Sequence, residues 1–267
     1  MKVQADTFLI KVEKTINNRI GNLIVDTDYN KYNHAVQKGV VFALPIKITP
    51  QYKYDIPLEV GDNVIFHHFV VQPDHKIPMD MVYRCEYFHI YGVIREGELM
   101  AIEDAIFVEP IKENDSELYK GAIRMKMIKG DKTKQGIVFA SSKSAQSEGI
   151  LSGDKVYYGA NADYKMKAVN KDLFRMRIRN IFAIERGGEI VCMRGQLLVK
   201  NIEIKDTKDL KDIQKSKLKG VVVKKGEDTE TAELGDVIIY HNGLGTDIEI
   251  DGKSYNVVNI KNVDYLL

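Results

Sequence analysis

Four short strings recur three times, in one fixed order, along this 267-residue chain. Fixed-order recurrence means tandem copies of one structural unit, each needing only the fold that a third of the chain can make. The clearest string is Gly39-Val40-Val41-Phe42-Ala43, matched by Gly136-Ile137-Val138-Phe139-Ala140 and more loosely by Gly220-Val221-Val222-Val223-Lys224. After each comes a glycine–aspartate pair and an apolar run. These are Gly61-Asp62-Asn63-Val64-Ile65-Phe66, Gly153-Asp154-Lys155-Val156-Tyr157-Tyr158 and Gly235-Asp236-Val237-Ile238-Ile239-Tyr240. Before each pair stands a third string: Thr7 to Val12, Ala105 to Pro110 and Gln196 to Asn201. The fourth, Tyr83 to Tyr91, aligns without gaps on Phe174 to Phe182, and the last copy closes with Tyr255-Asn256-Val257-Val258 and Val263 to Leu267. Arg95-Glu96-Gly97-Glu98 and Arg186-Gly187-Gly188-Glu189 are turn sequences. They place unit boundaries at 1–98, 99–189 and 190–267.

The repeated strings are runs of four to six residues rich in Val, Ile, Phe and Tyr, which is strand chemistry. Gly-Asp just ahead of a run supplies a turn, since glycine accepts positive φ and aspartate bonds its own backbone. A sustained 3.6-residue period is missing. One short helical face, Leu210, Ile213, Lys217 and Leu218 between Asp206 and Lys219, competes evenly with a polar loop. Units this small, made of short strands, remove their exposed edges by curling into a barrel or sandwich. The expected fold is all-β: three tandem, partly open β-barrels.

Composition narrows the function. Lys+Arg 39 against Asp+Glu 38 gives a net charge of +1, which argues against a general polyanion binder. No apolar run approaches the length of a membrane helix, and the first residues, Met1 to Asp6, carry no signal-peptide stretch. Cys85 and Cys192 read as two reduced cysteines of a cytoplasmic protein. No CxxC, HExxH, P-loop or GxSxG string occurs, so an enzyme is not expected. Five histidines (His34, His67, His68, His75 and His89) share the first unit with Asp74 and Cys85, without a recognised ligand spacing. The adjacent His67 and His68 should alternate across a strand. No metal or other cofactor is expected.

The stretch Gly235 to Gly245, a glycine–aspartate, an apolar strand ending in an aromatic and a polar turn with two glycines, resembles the chaperonin-10 (GroES-like) co-chaperonin family. The resemblance implies three GroES-like units and no chemistry of the chain's own. It implies that Gln196 to Lys200 and Val263 to Leu267 pair between neighbouring subunits of a homo-oligomeric ring. It also implies a mobile loop in the first unit. There the polar stretch Glu13 to Lys38 holds Gly21-Asn22-Leu23-Ile24-Val25, a glycine followed shortly by three aliphatic residues. Gly21, Asn22, Leu23, Ile24 and Val25 become the chaperonin-binding residues, with Leu23, Ile24 and Val25 entering an apolar groove on the chaperonin apical domain. An aliphatic triplet in so polar a flank cannot offset the entropy of ordering, so it should order only on binding. The alternative is a hairpin in the unit's own sheet. The second unit has Gly121-Ala122-Ile123-Arg124-Met125, with charge inside the triplet, and the third has a shortened segment without one. Pro45 to Glu59 corresponds to the family's roof hairpin, and Val70 to Val82, which has no short-family counterpart, is a candidate neighbour contact.

The expected activity is thus that of a co-chaperonin lid, closing a folding chamber around an unfolded protein substrate, with no nucleic-acid or membrane partner. Degenerate second and third units leave an alternative open, a structural or assembly protein of the same fold, for example viral, that does not bind chaperonin. A weaker option is an oligonucleotide-binding barrel, with Arg175, Arg177 and Arg179 beside Phe174 as its patch.

Overall fold

In a computed structural model of the chain, the structure describes residues 3–13, 19–20, 23–24, 36–49, 56–111, 118–120, 123–125, 134–159, 162, 164–202, 217–241, 243–250 and 252–266. Strands dominate, and among the described residues only Lys143–Ser147 (α1) forms an α-helix, started by Ser142 Oγ accepting from the Ala145 amide at 3.2 Å. No helix of the described residues is long and apolar enough to cross a membrane. The chain makes two compact units, 1–108 with 139–151 and 164–176, and 109–138 with 152–163 and 177–267.

The first repeat supplies β1 (Thr7–Lys11), the short β2 (Arg19–Ile20) and β3 (Leu23–Ile24), then β4 (Lys38–Ala43), β5 (Asn63–Phe66), β6 (Val82–Glu86), β7 (Ile90–Arg95) and β8 (Glu98–Ala101). The second supplies β9 (Ala105–Pro110), β10 (Leu118–Lys120), β11 (Ile123–Met125), β12 (Lys134–Ser141), β13 (Lys155–Tyr158), β14 (Tyr164–Ala168), β15 (Lys171–Arg177), β16 (Ile181–Arg186) and β17 (Glu189–Cys192). The third supplies β18 (Gln196–Asn201), β19 (Lys217–Lys225), β20 (Val237–His241), β21 (Gly245–Ile250), β22 (Lys253–Asn259) and β23 (Val263–Leu266).

Three antiparallel sheets result, ordered β6-β1-β4-β5-β7-β8, β14-β15-β9-β12-β13-β16-β17 and β21-β22-β18-β19-β20-β23. Inside each lies the same five-strand order: β6-β1-β4-β5-β7, β15-β9-β12-β13-β16 and β22-β18-β19-β20-β23. Each string found by repetition falls at the same place in that order, the fourth spanning parts of the two outermost strands and the turn between them. The two outermost strands of the five are joined by a single 3-10 turn, Tyr87–His89, Ile178–Asn180 or Ile260–Asn262. A flat sheet would hold those strands about 19 Å apart, whereas the connection reaches at most about 14 Å. Each sheet must therefore curl. Bulges at Ile65/Phe66, Tyr157/Tyr158 and Ile239/Tyr240 sit where the third strand meets the last and add the twist that curling needs.

One backbone arrangement recurs at the Gly-Asp turn. The Gly61 amide donates to the Val41 carbonyl at 2.8 Å, and the Val41 amide to the Asp62 carbonyl at 2.9 Å. Gly153, Val138 and Asp154 repeat it at 2.8 and 2.8 Å, and Gly235, Val222 and Asp236 at 2.9 and 2.9 Å. The three glycines have φ of 99°, 91° and 94°, which side-chain-bearing residues rarely adopt. Val41, Val138 and Val222 are all buried. In the first two copies an arginine clamps the aspartate with two bonds. Arg95 Nε and Nη2 reach Asp62 at 2.9 and 2.6 Å, and Arg186 reaches Asp154 at 2.7 and 2.7 Å. The arginines open the two-residue turns Glu96-Gly97 and Gly187-Gly188, whose four positive φ values are those of a hairpin turn twisted to match its strands.

The first strand of each repeat feeds apolar side chains to both faces. Phe8 and Ile10 enter a core with Val41, Val64, Phe66, Tyr87 and Val93, while Leu9 packs with Val3 and Val82. In the third repeat Leu197 and Val199 face Val222, Ile238 and Tyr240, and Leu198 faces Val257 and Ile248. β18 is hydrogen-bonded on both sides, to β19 and to β22. The inter-subunit pairing expected of Gln196 to Lys200 therefore has no open backbone on that strand; β23 ends its sheet, with one edge unpaired among the described residues. Lys217 and Leu218 open β19 instead of ending a helix, and residues 203–216 lie outside the described residues. Val70 is buried in the first core, behind 3-10 turns His68–Val71 and Pro73–His75, so at least this part of the Val70 to Val82 stretch packs inward.

Gly39 and Gly220 sit where the second strand crosses the first. A Cβ on Gly39 would meet Ile10 Cγ2 at 2.6 Å and the Lys11 carbonyl at 2.7 Å; one on Gly220 would meet Val199 Cγ1 and the Lys200 carbonyl. Gly39→Ala and Gly220→Ala should each destabilise by about 1–3 kcal/mol through overpacking. Urea unfolding of the two variants beside the parent checks this, and equal midpoints would contradict the shared close approach.

Candidate functional site

Two places bear on function, the aliphatic segment of the first repeat and a histidine–tyrosine cluster in the same compact unit. Leu23 and Ile24 form β3, which pairs antiparallel with β2 in the register Arg19↔Ile24 and Ile20↔Leu23. Gly21, Asn22 and Val25 lie outside the described residues, as do residues 50–55 of the Pro45 to Glu59 segment. Among the described residues the β2–β3 pair is a two-stranded sheet of its own, with no ladder to the six-stranded one. The second repeat has the same device. β10 and β11 pair separately, with Lys120↔Ile123 and Tyr119↔Arg124 standing where Ile20↔Leu23 and Arg19↔Ile24 stand in the first. Arg124 thus occupies the register position of Ile24.

The cluster gathers around His67 and His68. These residues do not alternate across a strand. β5 ends at Phe66, and His67 caps the following 3-10 turn by accepting from the Phe69 amide at 3.2 Å. The chain bends there, and the two imidazoles stack at 4.3 Å. Tyr164 lies flat on His67, with centroids 5.0 Å apart and planes 11° apart. Its hydroxyl accepts from the His68 amide at 3.0 Å and from Gln37 Nε2 at 3.0 Å, and it meets His68 Nδ1. His89 stands 5.7 Å from His67. Arg175, opposite Tyr164 in the β14–β15 ladder, lays its guanidinium 4.0 Å above the Tyr91 ring and pairs with Asp104 at 3.3 Å.

Burial, then the neighbouring His68, His89 and Arg175 charges, hold the His67 imidazole down at about 4. Burial lowers His68 and His89 as well. Tyr164 is pushed up, by burial above all. The three imidazoles and the Tyr164 hydroxyl are therefore neutral at neutral pH. Among the described residues, no three His, Cys, Asp or Glu side chains come together as metal ligands. Of the three arginines of the expected patch, Arg175 is turned to Tyr91 and Asp104, its side chain only 11% accessible, and Arg177 and Arg179 belong to the 3-10 turn Ile178–Asn180 and its cap.

This cluster was missed in the sequence because Gln37 and Tyr164 are 127 residues apart and belong to different repeats. The one available signal was the crowding of histidines into the first repeat. Comparison with known proteins adds no assignment: no protein-family model matches the chain, and no curated protein matches its sequence.

Cys85 and Cys192 are buried in separate cores, and neither forms a disulfide. Burial pushes both thiols up, Cys192 to about 11. The thiolate is the reactive form, so neither should react with an aromatic disulfide reagent in the native protein, and both should react once guanidinium unfolds it. Rapid labelling of either thiol in the native state would contradict the burial.

Proposed function

We propose that the chain is a co-chaperonin lid, which binds the apical domains of a chaperonin through the Gly21 to Val25 segment and closes the folding chamber over an unfolded protein. The observation that carries this reading is an aliphatic pair, Leu23 and Ile24, on a two-residue ladder that, among the described residues, has no pairing to the main sheet. A ladder that short is weak by itself, so it can give way to a stronger partner. The polar flanks point the same way, since they leave the aliphatic residues as the main apolar content available for a groove. Each single loop binds weakly after the entropy of ordering is met; several loops on one cytoplasmic ring act together through effective concentration. The resemblance of Gly235 to Gly245 to the chaperonin-10 family supports the same assignment, with each curled sheet as a GroES-like barrel.

The test is binding to an ATP-loaded chaperonin. Replacing Leu23, Ile24 and Val25 together by Ser should weaken capture at least tenfold while leaving the far-ultraviolet spectrum unchanged. Equal capture by parent and variant, or no capture by the parent, overturns the assignment.

A second reading, a ring or shell component that assembles without chaperonin, is favoured by β23. That edge strand exposes Tyr265 and Leu266, 59% and 40% accessible, and an open apolar edge is a template for pairing with another chain. Native mass spectrometry separates the two readings: assembly that ignores chaperonin favours the second.

A further inference from the structure

We propose that His67, His68 and His89 form an acid-sensitive latch that fastens the β14–β15 hairpin against the 3-10 turn His68–Val71. The Tyr164 hydroxyl has two lone pairs and one hydrogen. The His68 amide and Gln37 Nε2 both donate to it, and so occupy both lone pairs. Its remaining contact is with His68 Nδ1. That contact is a hydrogen bond only when the hydroxyl donates, and therefore only when His68 Nδ1 carries no proton. Protonating Nδ1 sets an N–H against an oxygen with no acceptor capacity left, and the bond is lost.

The second holding contact involves a half-buried imidazole. Tyr164 stacks on His67, and the groups around His67 leave a new positive charge there badly placed. His68, His89 and Arg175 face it. Arg175 is held in place by Asp104 and by the Tyr91 ring. His75 adds a like charge beside His89, which Glu86 opposes. Tyr164 and Arg175 are direct partners at the open end of the hairpin, so one protonation event acts on both strands together.

The sign follows from the direction of the shifts. All three imidazoles bind protons less readily when latched than when free, where the usual value is about 6.5. The latch is at full strength above about 6.5 and weakens as pH falls towards about 4. Each histidine that must stay neutral removes up to about tenfold from the latching constant per pH unit.

Amide hydrogen exchange on the full chain, corrected for the intrinsic pH dependence of exchange, reads this directly. Protection of residues 164–175 should fall at least tenfold more than that of β19 and β20 between pH of about 7 and about 4.5. His67→Phe keeps the ring stack, and His68→Gln keeps an acceptor for the tyrosine hydroxyl. In the double variant the hairpin's pH dependence should flatten. Constant protection of the parent's hairpin, a parallel loss in β19 and β20, or a double variant that tracks the parent would overturn the latch. Should the double variant not fold, histidine ring nitrogen shifts of the parent decide. At pH of about 6.5 a smaller doubly protonated fraction on His68 than a free imidazole shows is expected, and an equal or larger fraction overturns the proposal.

Discussion

The fold depends on a pair of main-chain hydrogen bonds made three times, between a buried valine and the Gly-Asp turn that follows it. Valine 41, 138 or 222 accepts from the turn's glycine and donates to its aspartate carbonyl. This ties the second strand of each repeat to the entrance of the third across 22, 17 or 15 residues from Gly39 to Gly61, Gly136 to Gly153 and Gly220 to Gly235. The loop between can change length freely, because closing a longer loop costs only a little more entropy. Everything downstream inherits the registration: Val64, Val156 and Ile238 reach equivalent buried positions, the bulges fall at matching places, and the 3-10 turn closes the curl.

Around this shared frame the repeats diverge by what is attached to it. The first two add an arginine clamp on the turn aspartate. In the third, Asp236 accepts the Glu233 amide at 2.7 Å, as Asp62 accepts the Glu59 amide at 2.7 Å in the first. The first two keep a small separate hairpin between their first and second strands, one with Leu23 and Ile24, the other with Arg124 in the second of those register positions. Divergence of this kind, on the loops and not the frame, is where binding differences between similar units are expected.

The frame was legible because its signals are local. Runs such as Val237-Ile238-Ile239-Tyr240, the Gly-Asp pairs and the turns Glu96-Gly97 and Gly187-Gly188 each specify strand or turn without reference to the rest of the chain. The histidine cluster was not legible, since it needs Tyr164 and Arg175 of one repeat to reach His67, His68 and Tyr91 of another. Adjacent histidines in a strand-rich stretch read as alternating, and only the bend after Phe66 stacks them. The β14–β15 hairpin was equally hidden. Its turn places Val169 and Asn170 at φ of 40° and 63°, and a β-branched residue there is a rarity that sequence rules discount. The proposed binding segment lay between these cases: Leu23 to Val25 stood out by contrast with polar flanks, while the small ladder of Leu23 and Ile24 took the structure to reveal.

Scalar couplings across hydrogen bonds, measured by nuclear magnetic resonance on the full chain, test the repeated frame most directly. The account predicts three correlations of the same kind: the Val41 amide nitrogen to the Asp62 carbonyl carbon, Val138 to Asp154, and Val222 to Asp236. A frame in which one of these is absent while the amide's surroundings remain folded would contradict the claim that a single bonded turn, used three times, organises the chain.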